Sequence, residues 1–429
     1  MTLNDPVILS LLDTDLYKLT MHAAVHMHFP SIQVSYKYNN RTENFRFNKE
    51  AILWLEKQFG AMGHLRFSLD EIEYLKNEVP YLPDSYWQYI SNNNFKLDPK
   101  NEVKFQFKCI DEDADQYELD ITIEGLWQDT ILYEIPMLAL ISEAYFKFVD
   151  TDWNYDLQIE NAYSKAVTLL ENDLSFIEFG TRRRRSKKTH DLVLQGILKA
   201  VDERKDKKDL FLGTSNILMA KNYGLRPMGT VAHEWIMGIA SVTNDYRHAN
   251  ENAMNYWIKT FGWDHVGFAL TDTFGTDNFL KSFLPPYSDV YLGVRQDSGD
   301  PIEFTEKISN HYLNVLNCPL YSKTICYSDS LDVEKALRYS KAAKLNGMAS
   351  CFGIGTNFTN DFTVKSAPDV KSQPLNIVIK LFKANGNPAV KLSDNHGKNM
   401  GDPDKLREVK ALLGYRESSW EEVDESNRW

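Results

Sequence analysis

At 429 residues and 49.6 kDa the chain exceeds one ordinary hydrophobic core and suits a large α/β unit with a smaller one beside it. Hydrophobic residues at 43% and aromatics at 13% mark a folded globular protein. A net charge of -12 and a pI near 5.4 exclude a global positive field, hence a general affinity for nucleic acid or anionic membrane, so any basic site must be local.

Met1 to Ser10 carries neither the apolar core of a signal peptide nor an arginine-rich amphipathic pattern, so a soluble protein of the cytoplasm, or also of the nucleus, is expected. Leu11 to Lys18 is followed by a helical run through Met21, Ala24, Val25 and Phe29 that Asp13 or Asp15 can cap, with Tyr17 one turn inside, as core filler or as a flat face for a ligand. His22 and His26 share one face at i, i+4 as a metal pair would, yet no Glu follows His22 and no third ligand is visible. Val34 to Tyr38 alternates like a strand, and Glu50 to Phe59 and Glu71 to Asn77 read as helices. Val103 to Ile110 and Tyr117 to Gly125 form a strand pair across the acidic turn Asp111 to Asp115. Ile131 to Val149 is the longest apolar region, but Glu134, Pro136, Glu143 and Lys147 make it a buried helix and not a membrane span. Residues 1–150 thus read as an N-terminal α+β domain.

From Tyr155 helices alternate with short apolar strands at 175–179, 210–212, 226–229, 266–270, 290–294, 324–326 and 350–352. Seven strands with βα spacing favour a parallel sheet, and polar signatures just after nearly every strand favour a barrel with its site at the carboxyl ends. No GxGxxG follows the first strand, so a dinucleotide fold is not supported. Leu375 to Leu381 and Ala389 to Leu392, joined by Asn385-Gly386-Asn387, read as a hairpin that returns to the first domain or decorates the barrel. Cys109, Cys318, Cys326 and Cys351 show no CxxC and no disulfide-like spacing, as reduced thiols would.

The strand ends carry the chemistry. Gly180-Thr181 leads into Arg182 to Arg185, either a solvated basic face or an anion site at a helix start. Gly213-Thr214-Ser215-Asn216 can cradle a carboxylate or phosphate, or simply cap a helix. Gly229-Thr230-Val231-Ala232-His233-Glu234 puts a single histidine between a strand and a helix, where it either does chemistry or caps. Asp272 can orient that histidine, hold a metal through water, or cap. Arg295 suits an anionic group, and Asp297 and Asp300 around Ser298-Gly299 suit Mg²⁺ or ribose hydroxyls. Ser328-Asp329 repeats the theme, and Gly353-Ile354-Gly355-Thr356 lets backbone N–H groups approach a phosphate. Together these loops imply a ligand with several phosphates, a ribose and a cation.

Asp-Thr-Asp-Leu-Tyr-Lys at Tyr17, Glu-Phe-Gly-Thr-Arg-Arg, Gly-Thr-Ser-Asn, Gly-Thr-Val-Ala-His-Glu, Val-Arg-Gln-Asp-Ser-Gly-Asp and Gly-Ile-Gly-Thr-Asn, in this order from about Ser10 to Met400, resemble the nicotinate phosphoribosyltransferase family. The resemblance implies an irregular α/β barrel with an N-terminal α+β domain. It also implies transfer of phosphoribosyl from 5-phosphoribosyl 1-pyrophosphate to nicotinate, coupled to ATP hydrolysis through a phosphohistidine at His233, with Mg²⁺. By the same resemblance Tyr17 and Phe179 sandwich the pyridine ring, and Thr230 and Arg295 bind around the nicotinate. Ser215, where the nicotinamide enzyme has aspartate, points to the acid. Asp297 and Asp300 hold ribose and Mg²⁺, Gly353, Gly355 and Thr356 take the 5-phosphate, and Arg182 and Arg183 take pyrophosphate or ATP phosphates. Asp272 or Glu234 fixes the His233 tautomer, and the imidazole is expected to titrate near neutral pH. A homodimer and a monomer both fit. A nicotinamide-specific enzyme and a catalytically silent nucleotide-binding barrel are the rival readings.

Overall fold

The computed structural model describes residues 5–42, 44–92, 95–395 and 398–415. The reading of the first ten residues therefore falls partly, at 1–4, outside the described residues. Two sheets organise the chain. The first contains β1 (Gln33–Asn40), β2 (Val103–Asp111) and β3 (Gln116–Leu126), antiparallel, with β2 and β3 as a hairpin. Val34 and Tyr36 of β1 are buried, as its alternation predicts, and Tyr36 lies opposite Ile123 of β3. The acidic connection is a tight turn in which Asp111 accepts from the Ala114 N–H.

The helix Glu134–Phe148 is buried along nearly its whole length and seats the first sheet against the second. No helix of the described residues is long and apolar enough to cross a membrane. Asp15 stands at the N-cap of Leu16–His28 without a side-chain cap bond, and Asp13 serves elsewhere. His22 is buried with Nδ1 2.9 Å from the Tyr86 hydroxyl, and His26 Nδ1 lies 3.0 Å from Gln128 Oε1, so the two Nδ1 atoms turn to separate partners.

The second sheet is parallel: β4 (Ser175–Glu178), β5 (Phe211–Thr214), β6 (Phe268–Leu270), β7 (Gly293–Gln296), β8 (Thr324–Tyr327) and β9 (Ala349–Ile354), in the order β5-β4-β9-β8-β7-β6. Helices separate these strands and cover them, which is why they read as unbroken apolar runs. The seventh expected strand, 226–229, is reduced to one bridge between Pro227 and Thr214. Arg226 accepts from Thr214 N–H and Met228 donates back, but Pro227 has no N–H and the ladder ends there. The strand expected at 290–294 begins later, at Gly293, because Tyr287–Val290 closes a helical turn.

A small pair, β10 (Phe362–Val364) and β11 (Ala367–Ser372), follows. The chain then returns to the first sheet as β12 (Ile377–Ala384), antiparallel to β1 with Tyr36 opposite Leu381. Asn385 and Gly386, at φ 51° and 79°, turn it into β13 (Asn387–Pro388). The expected second arm, 389–392, leaves the ladder after Pro388: Leu392 N–H donates to Thr273 O and Lys391 pairs with Met400. That departure brings Lys391 to the ends of the parallel strands.

Candidate active site

A cavity opens at the carboxyl ends of the parallel strands, floored by their loops and roofed by β12 and the segment that follows it. Tyr17, in the first turn of its helix, and Phe179, one residue past β4, both line it. A Cβ on Gly353 would stand 2.4 Å from Phe179 Cδ2, so glycine at the end of β9 makes room for the ring. Gly355 packs as tightly on Phe179 O, at 2.9 Å from an added Cβ, and Thr356 opens the next helical turn. Arg295 donates to the Thr230 hydroxyl, which presents a guanidinium and a hydroxyl together on the wall. Ser215 lines the cavity and donates to Asp15 Oδ1 at 2.8 Å.

The four arginines divide. Arg182 and Arg183 line the cavity, Arg183 also donating to Asn376 Oδ1 at 2.9 Å. Arg184 is fully buried in a two-bond pair with Asp13 at 2.8 and 2.9 Å, and Arg185 lies buried with its Cζ 3.6 Å from the Phe146 ring centroid. The 3₁₀ turn Thr181–Arg183 followed by extended backbone at Arg184 sends successive side chains in different directions. Half of the basic run is therefore core.

His233 begins the helix His233–Thr243 and is 5% exposed. Its Nδ1 lies 2.9 Å from Thr273 Oγ1, while Nε2 lies 2.9 Å from Asp297 Oδ2, 3.0 Å from Lys391 Nζ and 3.6 Å from Asp272 Oδ1. Burial pushes the imidazole down to about 4, with the Lys391 ammonium helping and Asp272 and Asp297 opposing. It is thus neutral throughout the physiological range, and the expected titration near pH 7 is corrected. Asp297, which burial alone would raise, is held well below the usual carboxylate range by Arg295 and His233.

Asp272 is buried; Oδ2 accepts from Ser298 Oγ at 2.6 Å and faces Lys391 at 3.2 Å, while Oδ1 has no hydrogen-bond partner among the described residues. Glu234 plays no part in orienting His233: it accepts from Tyr36 and Trp127 at 2.6 and 2.9 Å and from the buried Lys18. Thr273, Asp297 and Lys391 are the groups that meet the ring.

Asp272 thus lies buried behind the cavity wall, and three further expected contacts do not reach it either. Ser298 is buried between Asp272 and the Asp394 N–H, Gly299 donates to Asn395 Oδ1, and Asp300 Oδ1 caps the helix Pro301–Ser309 through the Ile302 and Glu303 N–H groups. Asp300 is therefore a helix cap, and it stands outside the group formed by His233, Asp272 and Asp297. The possible metal ligands that do converge are His233, Asp272 and Asp297, whose ligand atoms lie within 4.8 Å of one another. Ser328 donates to Asp297 Oδ1 at 3.0 Å, and Asp329 Oδ2 accepts from Lys398 at 2.7 Å.

Sequence reasoning missed Lys380, Lys391, Lys398, Arg41 and Asp15, all on the wall. Lys380 and Lys391 fall inside the expected hairpin, and only the return of the chain to the first sheet carries them over the strand ends. Burial pushes Lys380 down to about 7 against Glu134, with Arg182, Lys391 and Arg41 adding repulsion. The wall is cationic inside an acidic protein.

Such a cavity, with two aromatic rings, a buried histidine and several cations at the ends of a parallel sheet, is of the kind that serves as an enzyme's active site. The comparisons make the class specific. Residues 174–417 match the Nicotinate phosphoribosyltransferase (NAPRTase) family and residues 12–142 its N-terminal domain. Nicotinate phosphoribosyltransferase of Saccharomyces cerevisiae is 62% identical over 428 residues, covering 100% of both chains. A crystal structure from the same organism agrees with a TM-score of 0.95 at 63% identity, covering 96% of this chain and 99% of the other. That of Porphyromonas gingivalis nicotinate phosphoribosyltransferase gives 0.85 at 34%, covering 95% and 100%. The chain belongs to the nicotinate phosphoribosyltransferase family.

Proposed function

We propose that this enzyme joins nicotinate to 5-phosphoribosyl 1-pyrophosphate, giving nicotinate mononucleotide and pyrophosphate in NAD biosynthesis, and that ATP hydrolysis is coupled to it through phosphorylation of His233. The observation that carries the reading is the neutral, buried His233 set between Asp297, Asp272 and Lys391 in one cavity with Tyr17, Phe179 and Arg295. Tyr17 and Phe179 hold the pyridine ring, and Arg295 with Thr230 meets its carboxylate. Gly353, Gly355 and Thr356 meet the 5-phosphate, while Arg182, Arg183, Lys380 and Lys391 meet pyrophosphate or the phosphates of ATP. As the bond from the ribose carbon to pyrophosphate breaks, the pyridine nitrogen forms its own bond there, and the positive charge building on the sugar lies close to Asp297. In the coupled step the imidazole attacks the γ-phosphorus, ADP leaves, and the P–N bond so formed is later hydrolysed. The added phosphoryl group brings roughly two negative charges next to the cationic wall.

The donor set fits Mg²⁺ bound by one or two carboxylates and completed by substrate phosphates: Asp297 would hold it, with the unpartnered Asp272 Oδ1 behind. Its chemistry there would be to neutralise the leaving pyrophosphate. The acidic charge and four free thiols favour a reducing compartment, the cytoplasm or also the nucleus. Labelled nicotinate with 5-phosphoribosyl 1-pyrophosphate and Mg²⁺, with and without ATP and against labelled nicotinamide, tests the reading. Labelled mononucleotide from the acid, increased by ATP, supports it; turnover of the amide alone contradicts it.

A further inference from the structure

Ser215, on which the choice of acid over amide was expected to turn, does not stand alone. Its hydroxyl donates to Asp15 Oδ1 at 2.8 Å, and both residues line the cavity at 4% and 5% exposure. The pairing is fixed by backbone: Asp15 bridges Asn216, and the Leu16 N–H donates to Ser215 O at 2.9 Å. A cavity read as taking a carboxylate therefore already contains one. While Asp15 is ionised, the Ser215 hydrogen is committed to it, and the serine shows the cavity only lone pairs, which repel a carboxylate. Once Asp15 carries a proton the polarity reverses. Its O–H then donates to Ser215 Oγ, and the Ser215 O–H is released toward the ligand.

The surroundings keep this choice open. Asp15 faces Thr181 and Arg182 from the turn after β4, Glu178 from β4 itself, Ser215 from the loop after β5, Tyr17 on its own helix, and the Arg184 that pairs with Asp13. Burial pushes the carboxyl up to about 6; Glu178 adds to the rise, and Thr181, Ser215 and Arg182 oppose it. An arriving carboxylate can only push further in the same direction.

We propose that nicotinate enters the cavity together with one proton, which Asp15 takes from solvent and which turns the Ser215 hydroxyl toward the substrate carboxylate. Asp15 is then a positioning residue that acts through Ser215, and the pair, not the serine alone, sets the preference for acid. The inference rests on the nicotinate reading above. An amide can donate to ionised Asp15 and Ser215 as they stand, and needs no proton.

The test is calorimetric titration of the full chain with nicotinate in buffers of low and high ionisation enthalpy. Above about pH 7 the binding heat should report an uptake approaching one proton per nicotinate, and the affinity should fall about tenfold per pH unit. Asp15→Asn, whose amide N–H stands in for the carboxyl O–H, should bind with no uptake and a flat pH profile. Among the described residues Lys380 is a second cavity group able to take a proton near neutrality. Uptake must therefore persist in Lys380→Met, and its loss there with retention in Asp15→Asn would overturn the proposal. So would native binding with no buffer-dependent heat, even if Asp15→Asn failed to fold. Nicotinate that binds at no pH would instead overturn the substrate reading, and this inference with it.

Discussion

Replacing Lys391 by methionine removes an ammonium within reach of both His233 Nε2, at 3.0 Å, and Asp272 Oδ2, at 3.2 Å, while keeping most of the volume. A unit charge at that distance acts with on the order of 5 kcal/mol at an effective dielectric constant of ~20. Discounting for water and side chains that fill in, about 3 kcal/mol, or roughly 2 pH units, should remain. Asp272 and Asp297 would then act on the imidazole unopposed, and His233 should rise from about 4 to roughly 6 or above. A histidine whose pKa is raised is protonated below that value, so its nucleophilic lone pair is lost as pH falls through it. In the native enzyme phosphoenzyme formation from ATP should show no loss from protonation of His233 between pH 8 and 5. In the variant it should fall about tenfold per unit below the new value. Initial labelling rates against pH, beside an NMR titration of the histidine, read both quantities. An unmoved titration of His233 would refute the electrostatic argument, since among the described residues no other cation is placed to repel the ring so closely.

Ser215→Asp would set a second carboxylate against Asp15 and the substrate, and kcat/KM for nicotinate should fall on the order of a hundredfold; unchanged turnover would remove Ser215 from the pocket. Gly353→Ala must displace the Phe179 ring from a contact of 2.4 Å, so KM for nicotinate should rise about tenfold with the loss of one stacking face. Steady-state kinetics beside a thermal melt separate this from a loss of fold. Asp300→Asn should leave Mg²⁺-dependent turnover within about twofold and lower stability by about 0.5 kcal/mol as a weakened cap. A large Mg²⁺-dependent loss would restore Asp300 as a metal ligand. His233 and His22 are buried neutral, pushed down to about 4 and about 3. The folded state thus binds fewer protons than the unfolded chain below pH 6.5, and stability present above that pH is lost on acidification at up to about 1.4 kcal/mol per unit for each ring. His22→Leu should flatten the fall in Tm between pH 6.5 and 4.

The elements were legible where periodicity and burial agree. Helix Glu134–Phe148 and the β2–β3 hairpin follow their patterns, and the parallel strands show as short apolar runs. The segment around Pro227 has the composition of a strand but lacks the N–H that a ladder needs. The site was legible in residues at or just past the ends of apolar runs, such as Phe179, Thr230, His233, Arg295 and Asp297, because their place follows from the chain's own order. Asp300 was misread because a helix cap and a metal ligand ask for the same residue type, and only the Ile302 N–H at 2.7 Å decides between them. Arg184 and Arg185 were misread for a like reason: a buried partner such as Asp13, far away in sequence, leaves no local trace. Lys380 and Lys391 required the β1–β12 pairing, a contact across most of the chain.

The account turns on His233 as the acceptor of a phosphoryl group. The most direct measurement is incubation of the native chain and His233→Ala with γ-phosphate-labelled ATP and Mg²⁺, followed by acid and alkali treatment of the trapped protein. Native protein should carry acid-labile, alkali-stable label approaching one per chain, and the variant none, with ATP hydrolysis uncoupled and weak nucleotide formation from nicotinate retained. Equal label, or full ATP coupling, in His233→Ala would contradict it.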